Sequence, residues 1–149
     1  MKTKRIITII LTTVLLVAGF SACENEKSPN LYVALDDGSH VYPTYISYVK
    51  PNADGHSGKN LISSQIGTFE YNGVTFRTYH VPKGSWDIYC EWMNPESVLG
   101  HTNGRWYMKS EKNSWTAIYF LGQFNPHLVK TYNNMWGQSG NGNFKIVED

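Results

Sequence analysis

Charge of one sign is what this sequence most lacks. Its 149 residues carry 13 Lys+Arg against 12 Asp+Glu, and charged residues make up 17% of the chain while apolar ones reach 41%. Self-repulsion therefore does not hold the chain unfolded, and no basic surplus exists to grip nucleic acid. Catalytic signatures are missing as well. There is no glycine loop followed by Lys and Ser/Thr to cradle a phosphate, no GxSxG elbow and no HExxH. His40, His56, His80, His101 and His127 are present, but no two stand at the i, i+4 or i, i+2 spacing that sets paired imidazoles on one side of a helix or strand. No internal repeat divides the chain, and its length suits one domain. No cofactor and no metal are expected, and a loop-built hydrolase site is the one catalytic alternative left open.

The amino terminus reads as an address. Lys2, Lys4 and Arg5 precede the apolar run from Ile6 to Phe20. As a helix that run would reach roughly 22 Å, short of the ~30 Å hydrocarbon core of a bilayer. This is the pattern of a signal peptide over residues 1–22. Ser21-Ala22-Cys23 at its end resembles the lipobox of bacterial lipoproteins, with Phe20 standing where that motif usually has Leu. The resemblance implies that Cys23 is acylated and becomes the first residue, and that the chain is held on a membrane of the cell envelope. At about 0.8 kcal/mol per buried methylene, two or three acyl chains make a lasting anchor. An ordinary secretory peptide with a chance cysteine is the alternative. Glu24 and Glu26 follow and are similar to the acidic export tag of some surface-displayed lipoproteins, so the outer membrane, on its periplasmic or surface side, is the expected location. Residues 23–30, with Ser28, Pro29 and Asn30, read as a polar tether. Without residues 1–22 the chain keeps ten basic against twelve acidic residues. Acylation of Cys23 would leave Cys90 without a disulfide partner, and stability must then come from packing.

Residues 31–149 read as a single β-rich domain. Aromatics make up 14% of the chain, with ten Tyr and five Trp, and 13 Gly supply turns. The expected class is all-β, mainly antiparallel, sandwich-like or a meander. Leu31–Leu35 and Val41–Val49 are the first strands, and Pro43 suits the second to an edge strand or a strand end. Asn52-Ala53-Asp54-Gly55 has some of the look of a calcium loop but lacks its ligand spacing, and reads as a turn. Asn72-Gly73 predicts a type I′ hairpin that pairs Tyr71 with Val74 and Phe69 with Phe76. Ser85–Met93 sets Trp86, Ile88, Cys90 and Trp92 on a core face and Asp87, Tyr89 and Glu91 outward. Arg105–Lys109 and Trp115–Leu121, joined by a short polar loop, are expected as antiparallel neighbours. The second of them is apolar on both faces and so belongs at the centre of a sheet. Asn125, Pro126, Leu128, Val129, Tyr132, Met135 and Trp136 fit a short C-terminal helix ended by Gly137. Gly137–Asn143 then reads as a flexible stretch and Phe144–Val147 as a last strand.

Candidate sites are few. Cys90 falls on the core face, where burial suppresses a reactive thiolate. Asp87 and Glu91 lie ~13 Å apart along one strand face, too far for paired acid–base work, and read as solvated. The aromatic surplus remains. Trp106, Tyr107, Trp115, Trp136 and an outward Tyr89 are the candidate ligand-binding residues, either stacking on sugar rings or anchoring a protein partner, although the same residue types also serve as ordinary core and rim. A membrane-anchored, non-catalytic module that binds a ligand, glycan or protein follows, with a structural or assembly lipoprotein docked on an envelope partner as the alternative.

Overall fold

The computed structural model describes residues 28–34, 42–93, 101–120 and 135–147. The leader 1–22, Cys23 and the greater part of the expected helix, 125–134, lie outside the described residues. Among the described residues there are eight strands: β1 Leu31–Ala34, β2 Tyr42–Val49, β3 Gly67–Tyr71, β4 Val74–Tyr79, β5 Gly84–Met93, β6 His101–Ser110, β7 Ser114–Phe120 and β8 Met135–Asn141. They form a five-stranded sheet in the order β3-β4-β1-β7-β8 and a three-stranded sheet in the order β2-β5-β6. The fold is all-β, and every pairing is antiparallel except that of β1 with β7.

The two sheets meet face to face over one apolar core. Leu31, Val33, Tyr79 and Ile118 of the larger sheet pack with Ile46, Ile88, Cys90, Trp92 and Met108 of the smaller. The alternation read in β5 explains why: Ile88, Cys90 and Trp92 point inward and are buried. A second apolar layer covers the other face of the larger sheet, where Ala34, Val74, Phe76, Trp115, Ala117 and Tyr119 pack with Ile146. Central β7 is accordingly buried on both faces, as its continuous apolar run requires.

Local chemistry explains several elements. Asn72 (φ 49°) and Gly73 (φ 79°) take the two left-handed positions of the hairpin turn, and the pairs Tyr71–Val74 and Phe69–Phe76 are in register. Pro43 sits in edge strand β2, beside a register shift between Pro43 and Tyr45. In the polar loop Asn52 adopts φ 66°, and the Asp54 carboxylate accepts the His56 N–H at 3.0 Å, capping the 3-10 turn Gly55–Ser57. These are turn-forming roles.

Three expectations are corrected. First, β6 and β7 are not neighbours in one sheet, because the turn Glu111–Asn113 carries the chain from the smaller sheet to the larger. The end of β6 is drawn away by buried Ser110, whose hydroxyl donates to the Val81 carbonyl at 3.0 Å and receives an Asn30 amide N–H at 3.0 Å. β7 pairs with β1 instead, its Thr116 N–H donating to the Asn30 carbonyl at 2.8 Å. Second, Met135 and Trp136 belong to strand β8, which runs through the glycines to Asn141 and pairs with β7. Neither the expected helix nor the flexible stretch exists over Met135–Asn141, and no α-helix occurs among the described residues. Third, Phe144–Val147 is not a strand. The Phe144 ring instead seats among Tyr32, Phe69, Tyr71, Phe76 and Trp115, with centroids 4.6 to 5.5 Å apart. Val147 and the Gln138 side chain exchange two hydrogen bonds, 2.9 and 2.6 Å long. This tail is the lid over the outer apolar layer.

Candidate functional site

Among the described residues, strands β6 and β8 are each the last strand of their sheet, and they lie along the same side of the sandwich. Contact between them depends on glycine. Trp106 lies against Gly137 so closely that a Cβ on the glycine would overlap the indole, and Met135 lies in the same way against Gly104. Toward the end of β6 the two edges part, leaving a groove of about 530 Å³.

Three of the five aromatic candidates line this groove: Trp106, Tyr107 and Trp115. Trp106 and Tyr107 point to opposite faces of β6, and both reach the groove because it runs along the edge of the strand. Trp106 is half-buried against the core. Tyr107 is 55% exposed, and its hydroxyl donates to Ser85 Oγ at 3.1 Å. Trp115, only 7% exposed, extends across Gly140, where an added Cβ would come within 2.6 Å of the ring. Among the described residues its buried indole N–H has no hydrogen-bond partner, an uncommon condition for a donor of this kind.

The rim is polar and carries both signs. Arg105 pairs with Asp87 at 3.3 Å and lies over the Tyr89 ring at 5.4 Å. Lys109 pairs with Glu111 at 2.7 Å, and that carboxylate raises the lysine pKa above its ordinary value. Ser114, Ser139 and Asn141 complete the lining. A second cavity of about 690 Å³ opens on the other side of the β6–β7 turn, lined by Tyr32, His80, Lys112 and Phe144 and sharing Trp115 with the first.

The other two aromatic candidates are elsewhere. Trp136 is 38% exposed on the outer face of the larger sheet, opposite Tyr119 in register. Tyr89 does point away from the core, but the 3-10 turn folds over it: Gly55 sits directly on the ring, leaving it 8% exposed. It is therefore not an open platform. Burial and the neighbouring Glu91 push its hydroxyl pKa up to about 12.

Asp87 and Glu91 are not a solvated pair either. Asp87 accepts the Asn52 N–H at 2.9 Å as well as Arg105. Glu91 Oε1 accepts the Tyr89 hydroxyl at 2.7 Å and meets His56 Nε2 at 2.6 Å. The His56 ring stands between Tyr45 and Tyr89, at 5.1 and 5.3 Å. Together these contacts clamp the turn onto the sheet. His56 and Glu91 are 35 residues apart, so no spacing rule announces their meeting. Cys90 is fully buried, and burial pushes its thiol pKa well above the ordinary value. Among the described residues no group of three His, Cys, Asp or Glu side chains is placed to hold a metal ion, and no helix is long and apolar enough to cross a membrane.

The groove residues that sequence reasoning missed are Arg105, Lys109, Glu111, Ser114, Ser139, Gly140 and Asn141. For Ser139, Gly140 and Asn141 the only signal is the glycine-serine-asparagine run, which resembles a linker. Comparison with protein families, with curated proteins and with solved structures gives no match for this chain.

Proposed function

We propose that this chain is a lipid-anchored, non-catalytic binding module of the bacterial cell envelope, attached through Cys23 and using the groove between β6 and β8 to hold a glycan. The observation that carries the reading is the convergence of Trp106, Tyr107 and Trp115 on one groove with a rim of paired charges, hydroxyls and an amide. Aromatic faces stack on the apolar faces of sugar rings, and the rim groups match sugar hydroxyls. The leader, the Ser21-Ala22-Cys23 sequence and the polar residues up to Asn30 support attachment to the outer membrane.

A glycan array tests the binding reading, with Tyr107→Ala as the control because this exposed ring is no part of the core. A glycan signal that falls about tenfold in the variant, at unchanged melting temperature, supports it. No glycan above background, or a signal indifferent to Tyr107, overturns it. Incorporation of labelled palmitate at Cys23 tests the anchor separately. A second reading, docking on an envelope protein, is favoured by one observation: both strands bordering the groove are sheet edges, and edge strands accept an added strand. Pull-down from envelope extract, lost on the same substitution, would favour it.

A further inference from the structure

We propose that the end of the sandwich at which the chain enters is a docking surface for anionic phospholipid headgroups, so that the domain rests on the leaflet holding its anchor. This rests on the acylation of Cys23 put forward above. Strand pairing sets Asn30, Val49, Gly84, Ser110 and Ser114 at one end of the two sheets. The connections at that end carry Lys50, Lys83 and Lys112, all exposed, with no ion pair among the described residues. The nearby Lys109 is neutralised by Glu111 at 2.7 Å.

These connections are tied into one surface. Lys50 Nζ lies 4.6 Å over the Trp86 ring, whose indole N–H donates to the Pro82 carbonyl at 2.9 Å, next to Lys83. The Asn30 side chain bonds both Val81 and Ser110, joining the Lys83 connection to the one bearing Lys112. The concentration of positive charge is local, because the chain from Cys23 onward carries ten basic against twelve acidic residues.

The anchor delivers this end to the lipid. Asn30 is seven positions after Cys23, a reach of at most about 25 Å. Attraction to an anionic surface fades beyond roughly one Debye length, about 8 Å at physiological salt, so three lysines would bind weakly from free solution. Confinement by the tether replaces that search with a high local concentration. Each lysine near such a surface shifts the balance about fivefold. Glu24 and Glu26 act against it and Lys27 with it.

The test couples the mature chain through the Cys23 thiol to a maleimide phospholipid, which makes it independent of cellular acylation; buried Cys90 does not compete. Vesicles of phosphatidylcholine, with and without phosphatidylglycerol, are treated with an amine-acetylating reagent, and each lysine is followed by mass spectrometry. Lys50, Lys83 and Lys112 are expected to react about fivefold more slowly on the anionic vesicles, with the difference erased by high salt and Lys145, on the tail over the larger sheet, unchanged. In the chain carrying Lys83→Glu and Lys112→Glu, with its circular dichroism unaltered, Lys50 is expected to lose its protection. Equal rates on both vesicles, or slowing shared by Lys145, overturn the proposal. Flotation of the cell-made protein with membranes reports on the anchor alone, so the two readings fail separately.

Discussion

The Trp106 indole lies against the bare backbone of Gly137, and this contact joins the free edges of the two sheets beside the groove. Gly137→Val is expected to push the indole off its seat and cost about 1–3 kcal/mol through overpacking. The urea midpoint falls while the denaturant slope stays constant. A Gly137→Val chain as stable as the parent would show that this contact does not close the edge.

Asn30 is expected to be among the most sensitive polar positions. Its amide donates to the Val81 carbonyl at 2.8 Å and to Ser110 at 3.0 Å, while its oxygen accepts the Val81 N–H at 2.8 Å, all buried. Asn30→Ala strands the buried Val81 N–H, and at about 1–3 kcal/mol for a buried group left without its partner the loss is about 1–3 kcal/mol. Chemical denaturation checks this, and a loss below about 0.5 kcal/mol, the range of ordinary surface changes, would contradict it.

Alkaline pH should unfold the protein in part through Tyr89. Its hydroxyl titrates near 10 in the unfolded chain and at about 12 in the fold. Above pH 10 the unfolded state therefore binds fewer protons than the folded one, so stability falls as pH rises through the window from 10 to 12. Tyr89→Phe is expected to flatten that part of the profile of urea midpoint against pH. An unchanged slope in the variant would assign the alkaline loss to other groups.

The hairpin at Asn72-Gly73 was fully legible because its turn needs two left-handed residues in succession, and few sequences supply them. The core face of β5 was legible because Ile88, Cys90 and Trp92 alternate with polar neighbours. β8 was not, and the reason is physical. Gly137 and Gly140 look like linker residues, yet they are the places where Trp106 and Trp115 need a neighbour without a side chain. Helical spacing leading into Met135 and Trp136 then offered, at those two residues, a false alternative to a strand whose own pattern was erased. The β6–β7 turn was misread for a different reason: a short polar loop connects strands equally well within one sheet or across two. What decides is the bonding of Ser110 and Asn30, 80 residues apart. Tyr89 was correctly placed on the outward face, but its cover comes from Gly55, which no local pattern links to it. The groove shared this fate, since Tyr107 and Trp115 were visible as aromatics while the gap between two sheet edges is a property of the assembled fold.

Strand β1 lies between β4 and β7, hydrogen-bonded on both sides. If the chain is anchored through Cys23 as proposed, a pull on the amino-terminal segment would reach the domain through this strand. Both ladders would then share that load in shear. On the proposed attachment, load would thus enter the sheet at a strand bonded on both sides rather than at an edge.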